Sequence, residues 1–144
     1  MKVKRISIFL VVILLLVNCT IEPQKIEYGH DGCSYCTMTI VDKKHAAQIV
    51  TNKGKVYKYD SIECLIKDAK NHIGNEIAFK KVTDFSSIDR FVDAESATYL
   101  ISPEIPSPMG ENLSAFSSKK DAESMQENKK GELFDWNSVQ QRIK

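Results

Sequence analysis

An almost unbroken apolar run, Ile6 to Val17, follows a short cationic stretch holding Lys2, Lys4 and Arg5. Its 12 residues fall short of the ~20 a helix needs to cross a bilayer, and the order of charge then apolar block is that of a secretory signal peptide. From Ile26 the pattern becomes that of a folded domain. Thr39, Ile40 and Val41 are consecutive β-branched residues, which favour a pleated strand. Ala46 to Thr51 and Lys55 to Tyr59 predict a hairpin, with Gly54 of the Asn52-Lys53-Gly54 connection supplying the positive φ of a three-residue loop. Ile62, Leu65, Ile66, Ala69 and Ile73 then recur at helical spacing, and Asp60 with Glu63 suits a capping box at the start. On that wheel Cys64 lies roughly 160–200° from the middle of the apolar stripe, so it is not an obvious core residue.

The second half repeats this order. Ala97 to Ile101 and Leu113 to Phe116 read as short strands, Ser117 or Ser118 caps a helix reaching about Asn128, and Gly131 offers its stop. Leu133 to Trp136 reads as a final strand. Strand, polar cap and helix recur with an offset of 57 residues, Tyr59 corresponding to Phe116. The expected fold is therefore α+β, two related ββαβ units in one compact small domain, with halves at about 26–92 and 93–144. Between them, Pro103, Pro106 and Pro108 exclude helix and central strand and leave an extended loop that ends at Met109 and Gly110.

Composition adds limits. The 144 residues carry 20 Lys+Arg against 19 Asp+Glu, and without residues 1–18 the balance becomes 17 against 19, so no basic patch argues for nucleic acid. Leu16-Val17-Asn18-Cys19 resembles a bacterial lipobox, which makes Cys19 the expected lipidated residue, 1–18 the lipoprotein signal peptide and 19–25 a tether with Pro23. An uncleaved anchor or a plain secretory cut is the alternative. Each places the domain outside the cytoplasm.

There the cysteine count becomes informative. With Cys19 lipidated, Cys33, Cys36 and Cys64 remain, an odd number in a compartment that oxidises thiols. Either Cys64 is an inert thiol, or Cys33 and Cys36 are kept as thiolates by something they bind. Cys33-Ser34-Tyr35-Cys36-Thr37-Met38 sets two thiols and a thioether within six positions. Covalent haem attachment requires His after the second Cys, where Thr37 stands. A thiol-disulfide oxidoreductase using Cys33 and Cys36 requires a helix N-terminus, whereas a β-branched stretch follows. A structural disulfide is the plain alternative. Thiolate and thioether sulfurs together suit Cu(I) better than Zn(II), and on a strand Cys36 and Met38 would face the same side. Met109, set by no amphipathic period, is either a loop-packing residue or a further thioether that its loop brings over the motif, whereas Met125 is expected to be packing. His30 is a weaker candidate ligand, and His45 and His72 are expected at the surface.

Tyr28-Gly29-His30-Asp31-Gly32-Cys33-Ser34-Tyr35-Cys36-Thr37-Met38, Ala46-Ala47, Tyr59-Asp60-Ser61, Met109-Gly110 and Leu113-Ser114-Ala115-Phe116 together resemble the NosL family of lipid-anchored copper proteins, from about Ile26 to Val139. The resemblance implies a non-enzymatic metallochaperone holding one Cu(I) ion per chain. It further implies delivery to the copper-sulfide centre of nitrous oxide reductase with a membrane transporter complex as partner, and a lipid-anchored place facing the periplasm, on the outer membrane. By matching position the copper ligands become Cys36, Met38 and Met109, with Cys33 as ligand, transient acceptor or redox guard. Thr37 stands where family members often carry Gly. A structural lipoprotein that only assists assembly is the remaining reading.

Overall fold

A computed structural model describes residues 21–72 and 76–144. The expected signal peptide, Cys19 and Ile73 lie outside the described residues. The hairpin is present as β1 (Ala47–Thr51) and β2 (Val56–Tyr59), in register from Ala47 opposite Tyr59 to Val50 opposite Val56, with Gly54 at φ 79° in the turn. Helix α1 (Ile62–Ala69) follows. Its cap is Ser61, whose hydroxyl accepts the Cys64 N–H at 3.2 Å, not Asp60. The expected capping box therefore does not form, and the Asp60 carboxylate is left for other work.

Two further strands, β3 (Ile77–Asp84) and β4 (Ser87–Asp93), occupy a stretch where the hydrophobic pattern assigns no element. Lys80 and Lys81 interrupt the alternation of β3, and most of β4 is exposed, so neither carries the period-2 signal of a half-buried strand. The second unit comprises β5 (Thr98–Ile101), β6 (Leu113–Phe116), α2 (Lys119–Lys129) and β7 (Glu132–Phe134). The terminal strand expected through Trp136 stops at Phe134. Asp135 and Ser138 then form a reciprocal capping box that starts α3 (Trp136–Arg142), and the Trp136 ring packs 5.9 Å from that of Tyr99.

The sheet orders are β2-β1-β3-β4 and β6-β5-β7. In each unit the first strand is central and antiparallel to both the second and the third. Those outer two are thus parallel to each other and need a crossover, which α1 supplies in one unit and α2 in the other. The repeated ββαβ order is accordingly a repeated topology, extended by β4 and α3. One core cluster runs through both halves, from Ile40, Ile49, Leu65 and Val82 to Tyr99, Leu113, Val139 and Ile143, and it contains Cys33 and Cys64.

Gly131 carries the chain from α2 into β7 at φ 112°, and a Cβ there would meet the Ile101 carbonyl oxygen at 2.2 Å. Gly131→Ala combines backbone strain with a clash against β5 and is expected to cost about 2 kcal/mol or more. Denaturant unfolding checks this, and an unchanged midpoint would contradict it.

Candidate metal centre

Residues 29–40 fold back on themselves as a narrow loop. The Cys33 N–H donates to the Met38 carbonyl at 2.8 Å, the Ile40 N–H to the Asp31 carbonyl at 2.8 Å, and Gly32 pairs with Thr39 in an isolated bridge. At the tip, the Thr37 N–H reaches the Cys33 carbonyl at 3.0 Å, with Thr37 at φ 66°. Cys36 therefore sits in a turn, not on a strand. Strand alternation does not extend across Thr37, so it cannot place Cys36 and Met38 on one side. The loop is fastened to the free edge of β2: the Ser34 N–H donates to the Lys58 carbonyl at 2.8 Å, and Lys58 Nζ lies 2.7 Å from Asp31 Oδ2.

That fastening brings the loop over the start of α1. Cys33, Cys36, Asp60 and Cys64 each present one donor atom, and these four atoms lie within 4.8 Å of one another. All three thiols are free. Cys33, Asp60 and Cys64 are buried, and Cys36 is half-buried. The wheel set Cys64 away from the core, yet it is 0 % exposed, because the first turn of α1 is buried on every side from Ile62 to Ile66. Neither oxygen of Asp60 has a hydrogen-bond partner among the described residues.

Such a carboxylate is costly to bury unless a cation or hydrogen bonds compensate it. Four ionised donors together would be costlier still, and the thiols divide the charge. The Cys33 thiol is pushed down to about 6, first by a hydrogen bond from Cys64, then by backbone N–H groups of Cys36, Asp60 and Tyr35 that outweigh burial. Cys64 is pushed up by the same bond to Cys33 and by burial. Burial, chiefly, also raises Cys36. One thiolate cradled by N–H groups, beside two thiols that keep their protons until an ion displaces them, is an arrangement that could hold a soft metal. At metal–sulfur bonds of ~2.3 Å, tetrahedral donors stand about 3.8 Å apart, so the cluster needs to contract by about 1 Å around an ion.

Met38 is 46 % exposed. Met109 is half-buried and packs, like Cys36, against the core cluster that holds Cys33 and Cys64. Its loop is held to α1 by Ser107, which donates to Glu63 Oε1 and accepts the Asn112 N–H at 2.9 Å. Met125 packs against the smaller cluster around Leu100 and Phe116, as expected. His30 is exposed. His45, expected at the surface, is 2 % exposed, held between Asp42 Oδ2 at 2.9 Å and Ser114 Oγ at 3.3 Å. His72, also expected at the surface, is half-buried against Asp68 at 3.3 Å. No helix begins at Cys36, so the feature a thioredoxin-like pair needs is not at this motif.

Sequence reasoning missed Asp60 and Cys64 as donors. Asp60 stands just before the Ser61 cap and Cys64 in the first turn of α1, so their shared place at one helix start is the local signal that could have paired them.

The family model for NosL matches residues 23–143. Among solved structures, the chain is similar to the crystal structure of the copper chaperone NosL from Shewanella denitrificans, at 24% identity and a TM-score of 0.73 over 85% of this chain and 98% of that one. At that identity the likeness bears on the fold. No curated protein matches the chain.

Proposed function

The chain belongs to the NosL family, and from that premise we propose that it is a copper chaperone: a binding and delivery protein, not an enzyme, that carries one Cu(I) ion per chain. The observation that carries this reading is the set of three free thiols and an unpartnered buried carboxylate within 4.8 Å. Thiolate donors hold monovalent copper, and the half-exposed Cys36 with the exposed Met38 leaves an approach for an acceptor's ligands. Met38 and Met109 are proposed as the outer thioethers through which copper enters and leaves. The proposal extends to lipid anchoring at Cys19, a periplasmic face on the outer membrane, and delivery to the copper-sulfide centre of nitrous oxide reductase with its transporter complex. Cells lacking the chain, grown at low copper, should make a reductase poor in copper. The intact gene should restore it and Cys36→Ser should not; a fully loaded reductase without the chain would overturn the reading.

Proton competition has a definite sign. Cys36 and Cys64 are raised thiols and must lose protons to bind, whereas Cys33 already stands at about 6. Cu(I) affinity should therefore rise with pH through the neutral range, and fall more steeply below about 6 as Cys33 takes up its proton too. Competition titrations with a Cu(I) chelator at a series of pH values measure this. A flat profile would contradict thiolate ligation.

A further inference from the structure

The three thiols are not equivalent. Cys33 is 3 % and Cys64 0 % exposed, and their sulfurs lie within 4.8 Å of each other, whereas Cys36 is half-buried at the loop tip. Beside the buried pair lies Asp60, 2 % exposed, with both oxygens unpartnered. Sulfur alone satisfies Cu(I). A carboxylate oxygen is a donor for Cu(II), which favours oxygen and nitrogen ligands. One oxygen donor and three sulfurs within 4.8 Å therefore suit an ion that arrives oxidised and leaves reduced.

Resting on the copper-chaperone reading, we propose that the Cys33 and Cys64 pair is a two-electron donor that reduces Cu(II) to Cu(I) at this site. Asp60 is the entry ligand for Cu(II), and Cys36 is the thiol that retains the product. Two Cu(II) ions are taken in succession, and each gains one electron. Counted from the Cys33 thiolate and the Cys64 thiol, the pair loses two electrons and one proton, the proton passes to solvent, and one sulfur–sulfur bond forms. The second electron must follow before the first sulfur radical finds another partner, and burial beside a second sulfur keeps that partner at hand. Forming the bond also withdraws two ligands from copper, which loosens the ion towards Cys36 and the thioethers. Copper outside the cytoplasm meets oxidising conditions, so such a step has a place there.

The test uses the full chain carrying Cys19→Ser, in which the clustered thiols are the only ones left. The reduced, metal-free protein is mixed anaerobically with excess Cu(II) and bathocuproine disulfonate, which reports Cu(I). The expected result is two Cu(I) per chain, loss of two hydrogens in mass, and a peptide map joining Cys33 to Cys64 with Cys36 free. Cys64→Ser should slow the reduction at least tenfold. A bridge between Cys33 and Cys36 or between chains overturns the proposal, as does Cys64→Ser reducing Cu(II) at the unaltered rate. If Cys64→Ser does not fold, the map of the parent protein decides. Tight Cu(I) binding without Cu(II) reduction would sink this inference and leave the chaperone reading standing, whereas loss of Cu(I) binding itself would sink both.

Discussion

Replacing Cys64 with serine is expected to weaken Cu(I) binding by about a hundredfold or more, as much as replacing Cys36. A supporting neighbour of a metal ligand costs roughly 10–100-fold when removed, and a direct thiolate should reach or exceed that range. Cys64 is 0 % exposed, its sulfur meets those of Cys33 and Cys36 within 4.8 Å, and its hydrogen bond holds Cys33 as the thiolate. Serine keeps a donor of similar size but offers copper a hard oxygen in place of sulfur. Met38→Ala and Met109→Ala should each cost less, about tenfold, because a thioether is an uncharged and weaker donor than a thiolate. Competition against a Cu(I) chelator gives all four affinities. Unchanged binding in Cys64→Ser together with a large loss in Met109→Ala would move the copper outward, to Cys36, Met38 and Met109 alone.

Asp60→Asn is expected to strengthen the metal-free protein and to blunt what copper adds to it. The carboxylate is 2 % exposed and neither oxygen has a partner, a cost that the fold bears when no ion is bound. An amide of the same shape is cheaper to bury, so the metal-free protein should gain about 1–3 kcal/mol in unfolding free energy. A bound ion stabilises by its affinity for the native state, and without the negative charge of Asp60 the rise in Tm on adding Cu(I) should shrink. Thermal unfolding with and without Cu(I) measures both effects. A variant that is destabilised without metal would show that Asp60 serves the fold and not the ion.

The trade made at Asp60 also explains which parts of the molecule could be read in advance. The hairpin was legible because Gly54 and two short strands signal it locally, and the duplicated topology because cap and helix recur with one offset. Strand β3 was not legible, since Lys80 and Lys81 pair with Glu95 and Asp93 at the rim and break its alternation. The motif cysteines announced a soft-metal site, but Cys64 did not. A helical wheel assumes one buried face, whereas the first turn of α1 is buried all round within a core drawn from both halves. Asp60 was hidden by its resemblance to a cap, a role that Ser61 takes one residue later. These donors become visible only when the loop 29–40 is laid along β2, a contact between segments 24 residues apart, Ser34 and Lys58.

Copper-edge X-ray absorption of the Cu(I)-loaded chain decides whether the clustered thiols hold the ion. The expected spectrum has a shell of sulfur neighbours at about 2.3 Å, the ordinary metal–thiolate distance, that loses sulfur in Cys36→Ser and in Cys64→Ser. A shell dominated by oxygen or nitrogen, or one that both variants leave unaltered, would contradict it.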